Sequence, residues 1–278
     1  MEDNWIPWHR RLPLILFAGL VMLLLVLPSL IVIPMSFSAG DYLEFPPREL
    51  SLRWYHNYFD SSLWAEATTI SFIAGISTAV FASILGTAAA WGLRLMGRGV
   101  PPVLMMVLTM PLTVPAILTA IGIFYLYVRL DLVNSMVGLV LAHTMLAIPF
   151  VLILVLSRLQ GFDLNQVRVA ESLGARPVKA FFLVVLPQIR FAVIAGAVIA
   201  FLTSFDEVIV ALFITGGGKS TITRVMFTSL RDQVDPTIAS VSSMLILLSI
   251  VLVVVFQFFE GRAAKAAPAA LKPNSTKE

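Results

Sequence analysis

The stretch VRVAESLGARPVKAFFLVVLP, Val167 to Pro187, is a jointed, charged segment inside a chain that is otherwise overwhelmingly apolar. Leu164, Val167, Ala170 and Leu173 recur about every three residues, which predicts a short amphipathic helix with Asp163 or Asn165 as its cap. Gly174 ends that helix. Pro177 suits the first turn of a second one, whose apolar face Val178, Phe181, Phe182, Val185 and Leu186 follows the i, i+3, i+4, i+7, i+8 pattern. Pro187 is expected to break it. On periodicity alone two readings stand: a passive connector on the membrane surface, or a docking element.

Outward from this segment, composition sets the class. With 59% apolar and only 13% charged residues and a mean hydropathy of +0.93, the chain reads as an integral membrane protein. It has no cysteine, which excludes disulfides, thiolate metal sites and cysteine catalysis. The sequence pI of about 9.4 comes from basic residues spread over loops, so it reflects membrane topology and not nucleic-acid binding.

Crossing a hydrocarbon core of ~30 Å takes about 20 helical residues. Six uncharged or nearly uncharged runs meet that length: Leu12–Pro34, Ala67–Leu93, Pro102–Val128, Val133–Ser157, Phe191–Ile214 and Pro236–Phe259. The expected fold is therefore all-α with six transmembrane helices. The first run is too long for a signal-peptide core and lacks a small-residue cleavage site, so it is expected to be a retained anchor. Most of the 19 basic residues fall on the side that carries both termini, Arg94, Arg98 and the segment from Arg158 to Arg190. The positive-inside rule makes that side cytoplasmic. The domain reading is a cytoplasmic N-terminus over 1–11, a membrane domain over 12–260 with a cytoplasmic loop at 158–190, and a disordered tail over 261–278.

The loop also carries a resemblance. It resembles the Glu-Ala-Ala loop of permease subunits of ATP-binding cassette importers, in which Glu-Ala-Ala, three residues, Gly and nine residues precede Ile-x-Leu-Pro. Gly174 is followed by nine residues and then Val184, Val185, Leu186 and Pro187, and Ala170 holds the second alanine position. Arg168 stands where the family has Glu, and Val169 where it has the first Ala. The resemblance implies the type I importer permease fold and a coupling helix that lies in a groove on a cytoplasmic ATPase. A small residue for close approach, Ala170, and a glycine for a sharp turn, Gly174, suit that role. Arg168, Glu171 and Arg176 would orient the contact.

The second informative stretch, FLTSFDEVIVALFITGGG, places Asp206 and Glu207 inside the fifth run. A carboxylate at mid-membrane costs ~2.5–3.5 kcal/mol on insertion scales, and no run contains Lys or Arg to offset it. The options are a partner subunit, a watered cavity, protonation of one acid, or a cationic substrate. Adjacent helical residues point about 100° apart, so both acids cannot face one pathway unless the helix unwinds between them. Asp206 is the preferred pathway acid, with a polar contact to a neighbouring helix as the alternative.

This region is similar to the second permease subunit of spermidine/putrescine importers, as are SFSAGDYLEFPP after the first run and TSLRDQVDPTIASVSSML before the sixth. That resemblance implies two different permease subunits, an ATPase dimer and a periplasmic solute-binding protein in a bacterial inner membrane. ATP and Mg would sit on the partner ATPase, with no cofactor, catalytic residue or metal on this chain. Phe205 would be the nearest aromatic wall for a polyamine, and Tyr125 and Tyr127 looser ones, since an interfacial aromatic belt is the more common origin of such residues. Another small amine or amino-acid-like solute, such as an opine or 4-aminobutyrate, fits the same machinery. A stand-alone secondary transporter or channel is the alternative of another class, although no inverted repeat supports it. ITGGGKST lacks phosphate-loop spacing and reads as a flexible outer loop. His143, beside Thr144, reads as a hydrogen-bonded helix contact, and Pro111, Pro115 and Pro149 as kinks.

Overall fold

A computed structural model describes residues 8–97, 101–232 and 234–266. In chain order the helices are α1 (Trp8–Met35), α2 (Arg53–Asp60), α3 (Ser62–Met96), α4 (Pro102–Thr109), α5 (Ala116–Leu130), α6 (Met136–Gln160), α7 (Asn165–Ser172), α8 (Pro177–Ala180), α9 (Leu186–Asp206), α10 (Ile209–Ile214), α11 (Ile222–Asp232) and α12 (Thr237–Ala266). Among the described residues the only β pairing is an isolated bridge, Ser38 with Leu50. Five helical segments are long and apolar enough to cross a membrane, and a sixth crossing results if the bent α4–α5 pair counts as one. The proposed tail over 261–278 lies mostly outside the described residues, as do residues 1–7 of the proposed N-terminal segment.

Two expected spans differ in shape. The run Pro102–Val128 is not one rod: α4, a 3₁₀ turn at Met110–Leu112, and α5 bend by 94°. Pro115 supplies the corner. Its extended ψ of 129° sets it outside the helix it precedes, and its ring bars the residue before it from helical backbone. The run Phe191–Ile214 begins earlier and ends earlier than expected, because helix continues from Pro177 to Asp206 and stops there. Pro187 does not break it. A π-helical turn over Phe181–Val185 precedes it, with the Leu186 N–H donating to the Phe181 carbonyl, and this wider turn absorbs the donor that proline lacks. Pro149 is likewise carried inside α6.

The chain divides into two compact units. In the unit formed by residues up to Ser62 and Thr228–Ser249, α1 carries three prolines and exposes its apolar side chains, Phe17 and Leu25 at 67% and 70%. The following segment folds back through Ala39 N–H to Glu49 O and Ser51 N–H to Phe37 O. The amphipathic α2 is fixed at both ends of its buried edge. Trp54 Nε1 donates to Gly40 O, Asn57 Nδ2 to Thr237 Oγ1, and Ser240 Oγ to Trp54 O.

In the unit formed by Leu63–Phe227 and the residues from Ile250 onward, α6 packs on α9, and α5 on α10. Val151 of α6, fully buried, lies between two glycines: a Cβ at Gly86 would sit 2.7 Å from Val151 Cβ, and one at Gly196 would sit 3.1 Å from its Cγ1. Small residues let three backbones approach where the hydrophobic effect between helices is weak. A second core cluster joins Ala74, Ala120, Ile123, Leu139, Val210 and Ile214, which seats α10 against α5 and α6.

Candidate functional site

Two places in the larger unit carry chemistry that a lipid-facing bundle does not need. The first is the end of α9. Helix stops at Asp206, Glu207 takes an extended conformation (φ −70°, ψ 120°), and α10 starts at Ile209. The helix thus unwinds between the two acids, and their side chains separate. Asp206 is exposed, whereas the Glu207 carboxylate is turned inward and 10% exposed. Glu207 Oε1 accepts from Val210 N–H at 2.8 Å and Oε2 from Ala211 N–H at 3.0 Å. Those N–H groups are the unpaired donors of a helix start, so the acid caps the segment that follows it. The expectation that nothing within the chain offsets this charge is corrected: backbone donors do so, and a histidine lies beside them.

That histidine is His143 of α6, fully buried. Its Nε2 lies 3.6 Å from Glu207 Oε2, and its Nδ1 is 2.7 Å from Ser204 Oγ on the last turn of α9. For a neutral imidazole facing a carboxylate, Nε2 holds the proton and Nδ1 accepts from the serine hydroxyl. The Glu207 carbonyl, released by the unwinding, accepts from Thr223 Oγ1 at 2.9 Å, and the N-terminus of α11 is held by Ile222 N–H donating to Ser71 Oγ. The expected helix contact of His143 is present, but its partners Ser204 and Glu207 were not foreseen. Only the spacing of two polar residues about one helical turn apart, Ser204 and Glu207, hinted at them.

Phe205 is buried at 6% in an aromatic trio, its centroid 5.1 Å from Phe72 and 5.2 Å from Phe201. Tyr125 is 68% exposed on α5 and meets Phe124 edge-on at 6.1 Å, whereas Tyr127 is buried. The structure therefore brings Phe205, Asp206 and Glu207 to one break and gives Tyr125 a different ring neighbour. Beyond α10 the glycine loop is tied down: Arg224 Nη1 donates to Thr215 Oγ1 at 3.1 Å and Ser220 Oγ at 3.3 Å. Burial lowers the pKa of Arg224 from its ordinary value.

The second place is the loop from Asp163 to Pro187. Asp163 Oδ1 accepts from Asn165 N–H at the start of α7, and α7 closes on a left-handed Gly174 at φ +91°. Gly174 N–H donates to Glu171 O and Ala175 N–H to Ala170 O, the paired bonds of a Schellman end. Val167 is buried and Leu164 and Ala170 pack beside it, but Leu173 is 83% exposed. This corrects its expected place on the inner face. Leu173 is the C-cap residue, where the chain leaves the helical path, and it joins Val169 at 58% and Val178 at 68% in exposing apolar surface. In α8 and the π turn, Val185 is buried while Phe182 is 57% exposed, so the expected apolar face is split. Leu186 is half-buried and Pro187 exposed.

Arg168, Glu171 and Arg176 are exposed. Arg168 Nη1 reaches only Asn165 Oδ1, at 3.4 Å, and neither Glu171 nor Arg176 joins any ion pair among the described residues. Two further groups set the loop's position. Arg94 Nε donates to Leu159 O and its Nη2 to Phe162 O, holding the end of α6. Gln188 Nε2 donates to Gln166 Oε1 at 2.7 Å, tying α9 to α7. Arg94 was legible only as a lone arginine at a span end. No group of three or more His, Asp or Glu side chains among the described residues could hold a metal ion.

Several membrane-length helices, one of them broken after Asp206, and an ordered polar loop define a multi-pass membrane protein. Residues 82–265 match the model of the binding-protein-dependent transport system inner membrane component, and the chain belongs to that family, as a permease subunit of an ATP-binding cassette importer. It is 32% identical over 204 residues to the putrescine transport system permease protein PotI of Escherichia coli K12, covering 70% of this chain and 72% of that protein. It is 29% identical over 234 residues to the spermidine/putrescine transport system permease protein PotC of the same organism, covering 84% and 88%. A crystallised bacterial transporter involved in import of the polysaccharide alginate superposes with a TM-score of 0.69 at 14% identity, over 93% of this chain and 99% of the other. An amino acid transporter crystallised with histidines gives 0.56 over 77% and 99%. At such identities these two structures speak for the fold alone.

Proposed function

We propose that the chain forms half of a polyamine pathway through a bacterial inner membrane, paired with a different permease subunit, a cytoplasmic ATPase dimer that binds ATP and Mg, and a periplasmic binding protein. The observation that carries it is Asp206: at the break in α9 one carboxylate is spent on the protein's own backbone and the other is left exposed. A bare carboxylate at membrane depth calls for a cation, and a polyamine supplies several ammonium groups. The names of the PotI and PotC relatives favour the same solute class. Tyr125 and the Phe205 cluster would provide aromatic neighbours along the route.

In this reading the loop at 163–187 is the mechanical input. Val169 and Leu173 seat in the ATPase, Ala170 permits close approach, and Glu171, Arg168 and Arg176 orient the contact. ATP-driven closure of the ATPase pair moves α7, and the unbroken run from α8 to α9 carries that motion to the break at Asp206. Hydrolysis lies on the partner, and this chain acts as a non-catalytic subunit with both termini cytoplasmic.

The test is uptake of labelled putrescine and spermidine by the assembled importer carrying Asp206→Asn. Loss of a charged partner is expected to raise KM by roughly 10–100-fold, matching about 1.5–3 kcal/mol for a charge-assisted bond. An unchanged KM would remove Asp206 from the pathway. Uptake of an opine or 4-aminobutyrate in place of polyamines would keep the machinery and change the solute.

A further inference from the structure

The reading of Asp206 leaves open what keeps the break in place. Unwinding a helix between two acids inside a membrane frees backbone groups that water cannot satisfy, so the arrangement persists only if its neighbours over-determine it. Three groups converge on it from α6 and α9. Ser204 is on the last turn before the break, Glu207 is the residue at the break, and His143 of α6 touches both, at 2.7 Å through Nδ1 and at 3.6 Å through Nε2. His143 and Ser204 are buried, at 0% and 3% exposure. Nδ1 is hydrogen-bonded, whereas Nε2 makes no hydrogen bond and meets Glu207 Oε2 only as a 3.6 Å contact.

We propose that His143 is a positioning residue: through Ser204 and Glu207 it clamps the two sides of the α9–α10 break and so keeps Glu207 turned in and the approach to the exposed Asp206 open. The clamp acts on one short stretch of backbone. If Glu207 leaves the Val210 and Ala211 N–H groups, the α9 helix can wind on through position 207 once the Glu207 carbonyl also leaves Thr223 Oγ1. Because consecutive helical residues point about 100° apart, such rewinding would turn Glu207 out of its place and re-aim α10 beside Asp206, which keeps the direction α9 gives it. His143 opposes that by occupying the space between α6 and the carboxylate and by fixing the last turn of α9 from the other end. The inference rests on the reading of Asp206 as a pathway residue, yet its test reads the backbone directly and needs no substrate.

The chain has no cysteine, so a single introduced thiol is unambiguous. In the assembled importer in proteoliposomes, Asp206→Cys is treated with a permanently cationic methanethiosulfonate reagent, alone and combined with His143→Leu. The expected result is labelling of D206C that slows about tenfold when His143 is lost, the size of effect that removal of one member of a buried network produces. His143→Asn, whose amide still reaches Ser204 but not Glu207, should slow labelling as well. It also serves as the reporter if H143L fails to assemble. His143→Gln, which reaches toward Glu207 but not Ser204, should fall between. Equal labelling rates for D206C with and without the His143 substitutions would overturn the clamp. An unreactive D206C with wild-type histidine would instead overturn the outward placement of Asp206, which is the separate reading beneath it.

Discussion

The break after α9 and the loop from Asp163 to Pro187 depart from ordinary side-chain placement in opposite directions. At the break a carboxylate is buried among helices, and the protein satisfies it locally with two N–H groups, an imidazole lying 3.6 Å away. In the loop three aliphatic residues, Val169, Leu173 and Val178, stand largely in the open. Buried charge with internal partners indicates a feature the subunit stabilises for itself. Exposed aliphatic surface on an ordered, glycine-closed helix indicates one that another protein completes. In the proposed function the break is where solute is met and the loop is where force enters.

The largest expected effect tests the loop. Gly174 holds φ +91° at the end of α7, and a β-branched residue there costs about 1–3 kcal/mol of local strain. Gly174→Val should re-aim Leu173 and Ala175 and abolish most ATP-driven uptake, with the ATPase lost on co-purification. Normal uptake by G174V would remove the loop from the coupling route. Leu173→Asp comes next. Since Leu173 is 83% exposed, its replacement should leave expression and thermal stability of the permease intact. It should weaken ATPase association by roughly thirtyfold, the equivalent of about 2 kcal/mol of aliphatic burial. A drop in permease stability would mean that Leu173 packs inside the chain after all.

The smallest effect belongs to Arg168. Its side-chain hydrogen bond, to Asn165 at 3.4 Å, is weak and exposed, so Arg168→Glu should shift permease stability by less than about 0.5 kcal/mol. Measured by thermal unfolding against ATPase affinity, a larger change in affinity than in stability would place Arg168 on the docking surface. A change in stability alone would assign it to the loop's own folding.

Residue patterns made some of this legible and hid the rest, for identifiable reasons. Spans whose apolar run is uninterrupted, such as those of α3 and α6, are readable to within a few residues, because hydrocarbon thickness fixes their length. Gly174 and Pro177 are readable because each acts through its own backbone. Pro187 misleads because its effect depends on a π turn five residues long just upstream, which no local rule announces. The corner between α4 and α5 is visible in Pro111 and Pro115 as kinks, but its 94° size is not. At the candidate site the acids are conspicuous and the division between them is not. Glu207 differs from Asp206 by an N–H pair three and four residues on, at Val210 and Ala211, and by a histidine 64 positions earlier in sequence that only packing of α6 on α9 brings near. Arg94 acts on the carbonyls of Leu159 and Phe162, groups that every residue possesses, so its partners leave no trace in side-chain pattern.

The most direct measurement of the central claim is polyamine uptake into liposomes holding this chain alone, the chain with its partner permease and ATPase, and the full set with binding protein and ATP. An importer subunit of this kind predicts no flux from the chain alone and ATP-dependent uptake only from the full set. Substrate-driven flux through the chain alone would contradict the account and make it a stand-alone transporter or channel.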